Sequence, residues 1–201
     1  MARAQSPPSR SRAKHDARPT DEDDPARAPA WRSPRAVAIF LAIAAAGTAV
    51  DLWTKHVAFD RLLGREGWTA TVVDGLLRLT LSTNPGIVFG YRLPGWVVLA
   101  ATLAAMAAVV ALFAASERRF RGLQAGLAMV LGGAAGNLYD RLFVRGALPG
   151  RQPAAGCVRD FIDVTIPVID YHWPVFNVAD VLLVVGLAAI LLHTLRHRRS
   201  P

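Results

Sequence analysis

Four stretches of this chain approach the length at which an apolar helix crosses a bilayer, and this feature constrains the fold more than any other. About 20 apolar residues are needed for the roughly 30 Å hydrocarbon core. The stretches are Pro34 to Val50 with some following residues, Gly95 to Ala115, Gly122 to Phe143 and Pro174 to His193. Glycines and polar residues interrupt the third. With 53% hydrophobic residues in a chain of 201, the expected fold is an all-α polytopic membrane protein with four transmembrane helices in one bundle. The Asp-Gly of "TATVVDGLLRLTLST" lies between alternating residues, which predicts a hairpin and so a small β element in the first outer loop.

Basic residues decide the expected orientation. "RSPR" precedes the first span, "ERRFR" joins the second to the third, and "RHRRS" follows the fourth. The positive-inside rule then puts both termini and the middle connection in the cytoplasm. The net charge of +8 therefore reads as a topology signal with attraction to anionic lipid head groups, and nucleic-acid binding is the poorer explanation. Residues 1–33 are rich in Arg, Pro, Ser and acids with almost nothing to bury, and are expected to form a disordered cytoplasmic tail. A cleaved signal peptide made from this tail and the first span is disfavoured by its very long basic region. The bundle then covers 34–195, and 196–201 form a second, basic cytoplasmic tail.

This orientation brings the polar groups together. Spans one and three run outward to "DLWTK" (Asp51 to Lys55) and "GNLYDR" (Gly136 to Arg141), while span four starts inward from "FNVAD" (Phe176 to Asp180). The outer loops add "STNPGIVFG" (Ser82 to Gly90) and "VRDFIDV" (Val158 to Val164). Asn177 and Asp180, and likewise Asn137, Asp140 and Arg141, are spaced to share a helix face. A carboxylate at such a depth is costly, which makes it a functional-site candidate by default.

Structural roles compete for several of these residues. Asp140 beside Arg141 reads first as a structural ion pair. Asp51 and Lys55 form either a helix-end pair or part of a site. Gly126, Gly132 and Gly136, with Gly122, read as helix-packing notches. His193 and His197 share a face, but without a nearby carboxylate, so no metal site is expected. Asp160 and Asp180 fit a structural role less well. Two carboxylates in one low-dielectric site cannot both ionise easily, so one keeps a proton and the other acts as a base. That arrangement suits an aspartic protease, and a proton-coupled transporter would use the same groups. Spans two and four offer no polar path to the cytoplasmic side, which counts against a transporter, and the G-x-G-D stretch of a presenilin-like protease is missing.

"DLWTK", "NPGIVFG", "GGAAGNLYDRL", "VRDFIDV" and "FNVADVLLVVG", in this order over residues 36 to 195, resemble the lipoprotein signal peptidase (signal peptidase II) family. The resemblance implies an aspartic endopeptidase of the bacterial cytoplasmic membrane with its active site at the outer face. Its substrates would be prolipoproteins, cleaved just before a cysteine that carries diacylglycerol. It implies Asp160 and Asp180 as the catalytic pair, with Asn84, Asn137, Asp140, Arg141, Asn177, Asp51 and Lys55 as substrate-binding or supporting residues. It calls for no cofactor and no metal, and implies no oligomer. Two features depart from the family pattern. Pro85, Ile87 and Val88 stand where small residues are usual, which is expected to narrow or stiffen the site. The stretch "VRGALPGRQPAAGC" before Asp160 is long and reads as a Pro/Gly-rich surface insertion, leaving Cys157, the single cysteine, no role as a nucleophile.

Overall fold

The computed structural model describes residues 24, 26–88, 91–145, 148 and 156–197. Four long helices run through it: α1 (Pro34–Leu62), α2 (Gly95–Ala115), α3 (Arg121–Phe143) and α4 (Val178–His197). Ser33 caps α1 by accepting the Ala36 N–H at 3.3 Å, with Pro34 at the first helical position where its missing N–H is harmless. At 29 residues, α1 outruns its apolar stretch and carries Asp51 and Lys55 on a helical extension. By length and composition α1, α2 and α4 can each cross a membrane. The fourth helix, α3, is also long, with 23 residues, but keeps polar and glycine residues because it touches all three of the others.

Lipid is as apolar as leucine, so helices in a membrane are held by close packing and polar contacts rather than by the hydrophobic effect. The glycines of α3 meet that requirement. A Cβ on Gly132 would come within 2.7 Å of the Ala44 carbonyl oxygen of α1, and one on Gly126 within 2.9 Å of the Gly186 carbonyl oxygen of α4. Thr48 of α1 donates its hydroxyl to the Gly132 carbonyl at 3.0 Å. Gly122, by contrast, touches nothing in this way, so it is not a packing notch. At the end where the chain enters α1, Phe40 and Phe113 stack at 4.0 Å and tie α1 to α2.

The expectation of an all-α chain with β structure in one loop needs correction. The hairpin of β1 (Thr69–Val73) and β2 (Leu77–Asn84) is present, turning through Gly75 at φ +68°. It belongs to a four-stranded antiparallel sheet, ordered β1-β2-β5-β6, to which the second loop contributes β5 (Val158–Ile166) and β6 (Tyr171–His172). A separate pair, β3 (Ile87–Val88) and β4 (Tyr91–Arg92), leads toward α2. "VRDFIDV" hides its strand character because its partner is remote: Asp160 pairs with Ser82 and Ile162 with Leu79. The sheet sits on the end of α1, where Phe161 and Leu81 pack with Ala58, Phe59 and Leu62.

Two other expectations change. Residues 26–33 are not a disordered end. Ala30 is fully buried and donates its N–H to the Ser116 carbonyl at 2.7 Å, and the Arg118 N–H reaches the Ala28 carbonyl at 3.0 Å. Composition cannot reveal such main-chain pairing; residues 1–23, the rest of that expectation, lie outside the described residues. Most of the stretch before Asp160 lies outside them too, but Leu148 is buried in the cluster under the sheet, so that stretch is not wholly surface. Cys157 is buried at the start of β5.

Candidate active site

Helix α4 starts later than its apolar stretch, at Val178 rather than Pro174. Phe176 is drawn into a bridge with Ile162 of β5, its carbonyl accepting the Ile162 N–H at 2.8 Å and its N–H reaching the Ile162 carbonyl at 3.0 Å. Asn177 then caps α4. Its Oδ1 accepts the Asp180 N–H at 3.0 Å, and Asp180 Oδ2 accepts the Asn177 N–H at 3.1 Å. This reciprocal pair satisfies two main-chain donors that a helix start leaves without partners. Asp180 is therefore in the first turn of α4, shallower than a helix from Pro174 would have put it.

The bridge also sets β5 over the start of α4. Asn177 Nδ2 donates to Asp160 Oδ1 at 2.6 Å, so one side chain contacts both aspartates. The α3 residue Asn137 donates its Nδ2 to Asp180 Oδ1 at 3.1 Å and accepts from Asn177 Nδ2 at 3.2 Å through its own Oδ1. Asp160 is only 3% exposed. Burial, and after it the neighbouring Asp180 carboxylate, push the Asp160 carboxyl up to about 7, against the opposing hydrogen bond from Asn177.

Beneath this pair lies a buried ionic layer. The Lys55 ammonium is fully buried; it donates to Asp51 Oδ2 at 2.7 Å and Asn137 Oδ1 at 2.8 Å, and lies 3.2 Å from Asp140 Oδ2. Asp51 uses its other oxygen to accept the Ala179 N–H at 2.9 Å, clamping the start of α4 to α1. Gly136 is required at this crossing, since a Cβ there would collide with the Asp51 carboxylate. Every charge in the layer has partners, as burial demands.

The expected pairing of Asp140 with Arg141 is not what the structure holds. Asp140 Oδ1 accepts from Arg159 Nη2 at 2.7 Å and Nε at 3.1 Å, and its Oδ2 accepts the Arg159 N–H at 2.9 Å. Adjacent helical residues do not face each other, and Arg141 turns instead to donate to the Gly156 carbonyl at 2.8 Å. Sequence reasoning missed Arg159. Its signal was strand alternation, which puts Arg159 and Asp160 on opposite faces of β5. Asp163, also missed, is a sheet partner that accepts from Arg78 at 3.0 Å and Thr80 at 3.1 Å.

Asn84 lies at the edge of the cluster. It ends β2 opposite Val158, and its Oδ1 accepts the Gly86 N–H at 2.9 Å in the turn that follows Pro85. Ile87 and Val88 continue from it, but their side chains lie outside the described residues. His193 and His197 belong to the opposite end of the molecule, where they pack edge-on against Phe120 at 4.6 and 4.8 Å.

The fold and this cluster define a polytopic helical membrane protein that holds a carboxylate pair where a small sheet meets its helices. Residues 43–196 match the signal peptidase (SPase) II family model, and the chain belongs to that family of peptidases. It is 38% identical to the lipoprotein signal peptidase of Mycobacterium avium (strain 104) over 177 residues, 86% of each chain. It is 33% identical to that of Oleidesulfovibrio alaskensis over 171 residues, 82% of this chain and 99% of the other. Among solved structures it is similar to a bacterial membrane enzyme determined by the in meso method, with a TM-score of 0.66 and 25% identity over 81% of this chain and 91% of that one.

Proposed function

We propose that this protein is an aspartic endopeptidase that removes signal peptides from bacterial prolipoproteins, with Asp160 and Asp180 as its catalytic pair. The observation that carries this reading is the Asn177 side chain, hydrogen-bonded at once to the Asp160 carboxylate and the Asp180 main chain at 2.6 and 3.0 Å. Asp180 accepts hydrogen bonds on both oxygens, whereas Asp160 is the carboxyl raised to about 7. In this reading Asp160 carries the proton and Asp180 is the base.

In this mechanism Asp180 takes a proton from a water whose oxygen attacks the scissile carbonyl carbon. Asp160 donates its hydrogen bond to the carbonyl oxygen as negative charge develops there. When the tetrahedral intermediate collapses, the C–N bond breaks and the leaving amine takes up a proton from the pair. Asn137 and Asn177 keep the carboxylates in register. Lys55, Asp51, Asp140 and Arg159 hold the three helices and β5 that carry them, and Asn84 and Arg141 flank the space where substrate backbone is to lie.

The peptidase domain is the 34–195 bundle together with residues 26–33, which pack against it, and with the end of α4 at His197; the remainder of each end is a cytoplasmic tail. We infer four spans, α3 being the fourth: it matches the others in length and its polar side chains are spent on neighbours rather than exposed to lipid. Arg35, Arg121 and Arg196 lie at one end of the bundle and the carboxylate pair at the other, which supports cytoplasmic termini and an active site at the outer face of the cytoplasmic membrane. Trp53 and Trp96, 65% and 73% exposed near the carboxylate end, suit an interfacial aromatic belt. A substrate presented there by a diacylglyceryl anchor gains about 0.8 kcal/mol per buried CH₂, so the lipid supplies the binding and the peptide only alignment. The test is incubation of the purified protein with one prolipoprotein, lipidated and unlipidated, read by mass spectrometry. Cleavage just before the diacylglyceryl-cysteine is expected, with almost none of the unlipidated form; equal cleavage of both would overturn the substrate assignment.

A further inference from the structure

At the end of the bundle opposite the carboxylates, a cleft of about 810 Å³ opens where α1 and α3 begin. Arg35, Arg118, Arg119 and Arg121 line it, together with Ile39 and Ile43 of α1. Arg119 is engaged by Glu117, Nε to Oε2 at 2.8 Å. Among the described residues, Arg35 and Arg121 have no carboxylate within ion-pair distance. Arg118 is held by its Nη2 on the Arg32 carbonyl at 3.3 Å, while its Nε is buried with no hydrogen-bond partner among the described residues. Arg35, Arg118 and Arg121 thus line one cleft with no carboxylate of the described residues within ion-pair distance, and an oxyanion there supplies the missing counter-charge. Both helices also direct the positive ends of their dipoles to this side.

Guanidinium groups match phosphate oxygens in geometry as well as in charge. The shared ligand chemistry is therefore a phosphate group, free or esterified. The apolar wall decides between the two. Ile39, 49% exposed, and Ile43 continue along α1 from the arginines into the membrane-crossing length of the helix. Free phosphate has no use for such a wall, whereas an acyl chain lies along it. We propose that this cleft binds an anionic glycerophospholipid, its headgroup phosphate held by Arg35, Arg118 and Arg121 and an acyl chain laid against Ile39 and Ile43. The site is separate from the carboxylate cluster and does not depend on the peptidase reading.

The test uses the full-length protein in a neutral detergent, offered phosphatidylglycerol, phosphatidylcholine with the same chains, or inorganic phosphate. Native mass spectrometry reads retained lipid, and a melting curve reads stabilisation. The protein is expected to retain phosphatidylglycerol at least about ten-fold over phosphatidylcholine. The Arg35→Gln/Arg121→Gln variant is expected to lose that preference while keeping the circular dichroism of the parent. If the double variant is not recovered folded, Arg118→Gln carries the same expectation. Equal retention of the two lipids, or a preference unchanged in these variants, overturns the proposal. So does inorganic phosphate stabilising the protein as much as phosphatidylglycerol, since the site would then be one for free anions.

Discussion

Asn177 Nδ2 lies 2.6 Å from Asp160 Oδ1, and the same side chain caps the helix that carries Asp180. Helix initiation and the geometry of the carboxylate pair thus rest on one residue. Asn177→Ala is expected to move both aspartates and lower cleavage by about 10²-fold, whereas Asn177→Asp, which still caps but cannot donate to Asp160, should keep more stability than activity. Thermal midpoints and turnover of the two variants, measured together, check this split; equal losses of both in the Asp variant would argue against a positioning role.

Replacing either aspartate with asparagine keeps shape and removes the transferable proton. Asp160→Asn and Asp180→Asn are each expected to cut the cleavage rate by about 10³-fold or more with little change in folded yield. A cleavage assay on equal amounts of purified protein decides it, and an Asn variant with near-native turnover would end the proposal of a catalytic pair.

The raised Asp160 gives two pH signatures. Cleavage should decline as pH rises through about 7, where the shared proton is lost. Stability follows the same proton. An ordinary aspartate titrates at 3.8 and the folded one at about 7, so between these values the folded state holds a proton that the unfolded chain has released. The contribution is fully present below 3.8 and is lost as pH rises through about 7. Melting curves across this window should show Asp160→Asn with a flatter pH dependence than the parent, and parallel profiles would count against the assignment.

Lys55 has two buried carboxylates, Asp51 and Asp140, and the half-buried amide of Asn137 as its partners. Lys55→Met is expected to leave Asp51 and Asp140 without their shared cation and to destabilise the fold by about 3–5 kcal/mol. The measurement is unfolding in mixed micelles. Gly136→Ala should disturb the same layer from the other side, because its methyl group would occupy the position of the Asp51 carboxylate.

Arginines 141 and 159 separate a sequence-based pairing from the observed one. Arg159→Gln removes the guanidinium that donates twice to Asp140 Oδ1 and is expected to lower stability by about 3 kcal/mol. Arg141→Gln, which loses a bond to the Gly156 carbonyl, should cost less stability than activity. The reverse order in melting temperature would restore Arg141 as the partner of Asp140.

Hydrophobic length alone delimited α2 to the residue, Gly95–Ala115, and located the other three long helices, because the requirement that a membrane span hide its backbone polar groups is local to each segment. The Asp-Gly turn was equally legible, being a two-residue choice of backbone angles. Most polar residues that the fold gathers into the candidate site stood out in the sequence, since charged and amide side chains are conspicuous in apolar surroundings, but Arg159 did not. Their pairing was not legible. Whether Asp140 meets Arg141 or Arg159, whether "VRDFIDV" is a strand, and whether α4 starts at Pro174 or Val178 all depend on a partner far along the chain: Asp140 for Arg159, Ser82 for Asp160, Ile162 for Phe176. A sequence records which groups must be satisfied once they are buried. Which group satisfies which is decided by the packing that brings distant segments together, and in this protein that packing is what sets Asp160 beside Asp180.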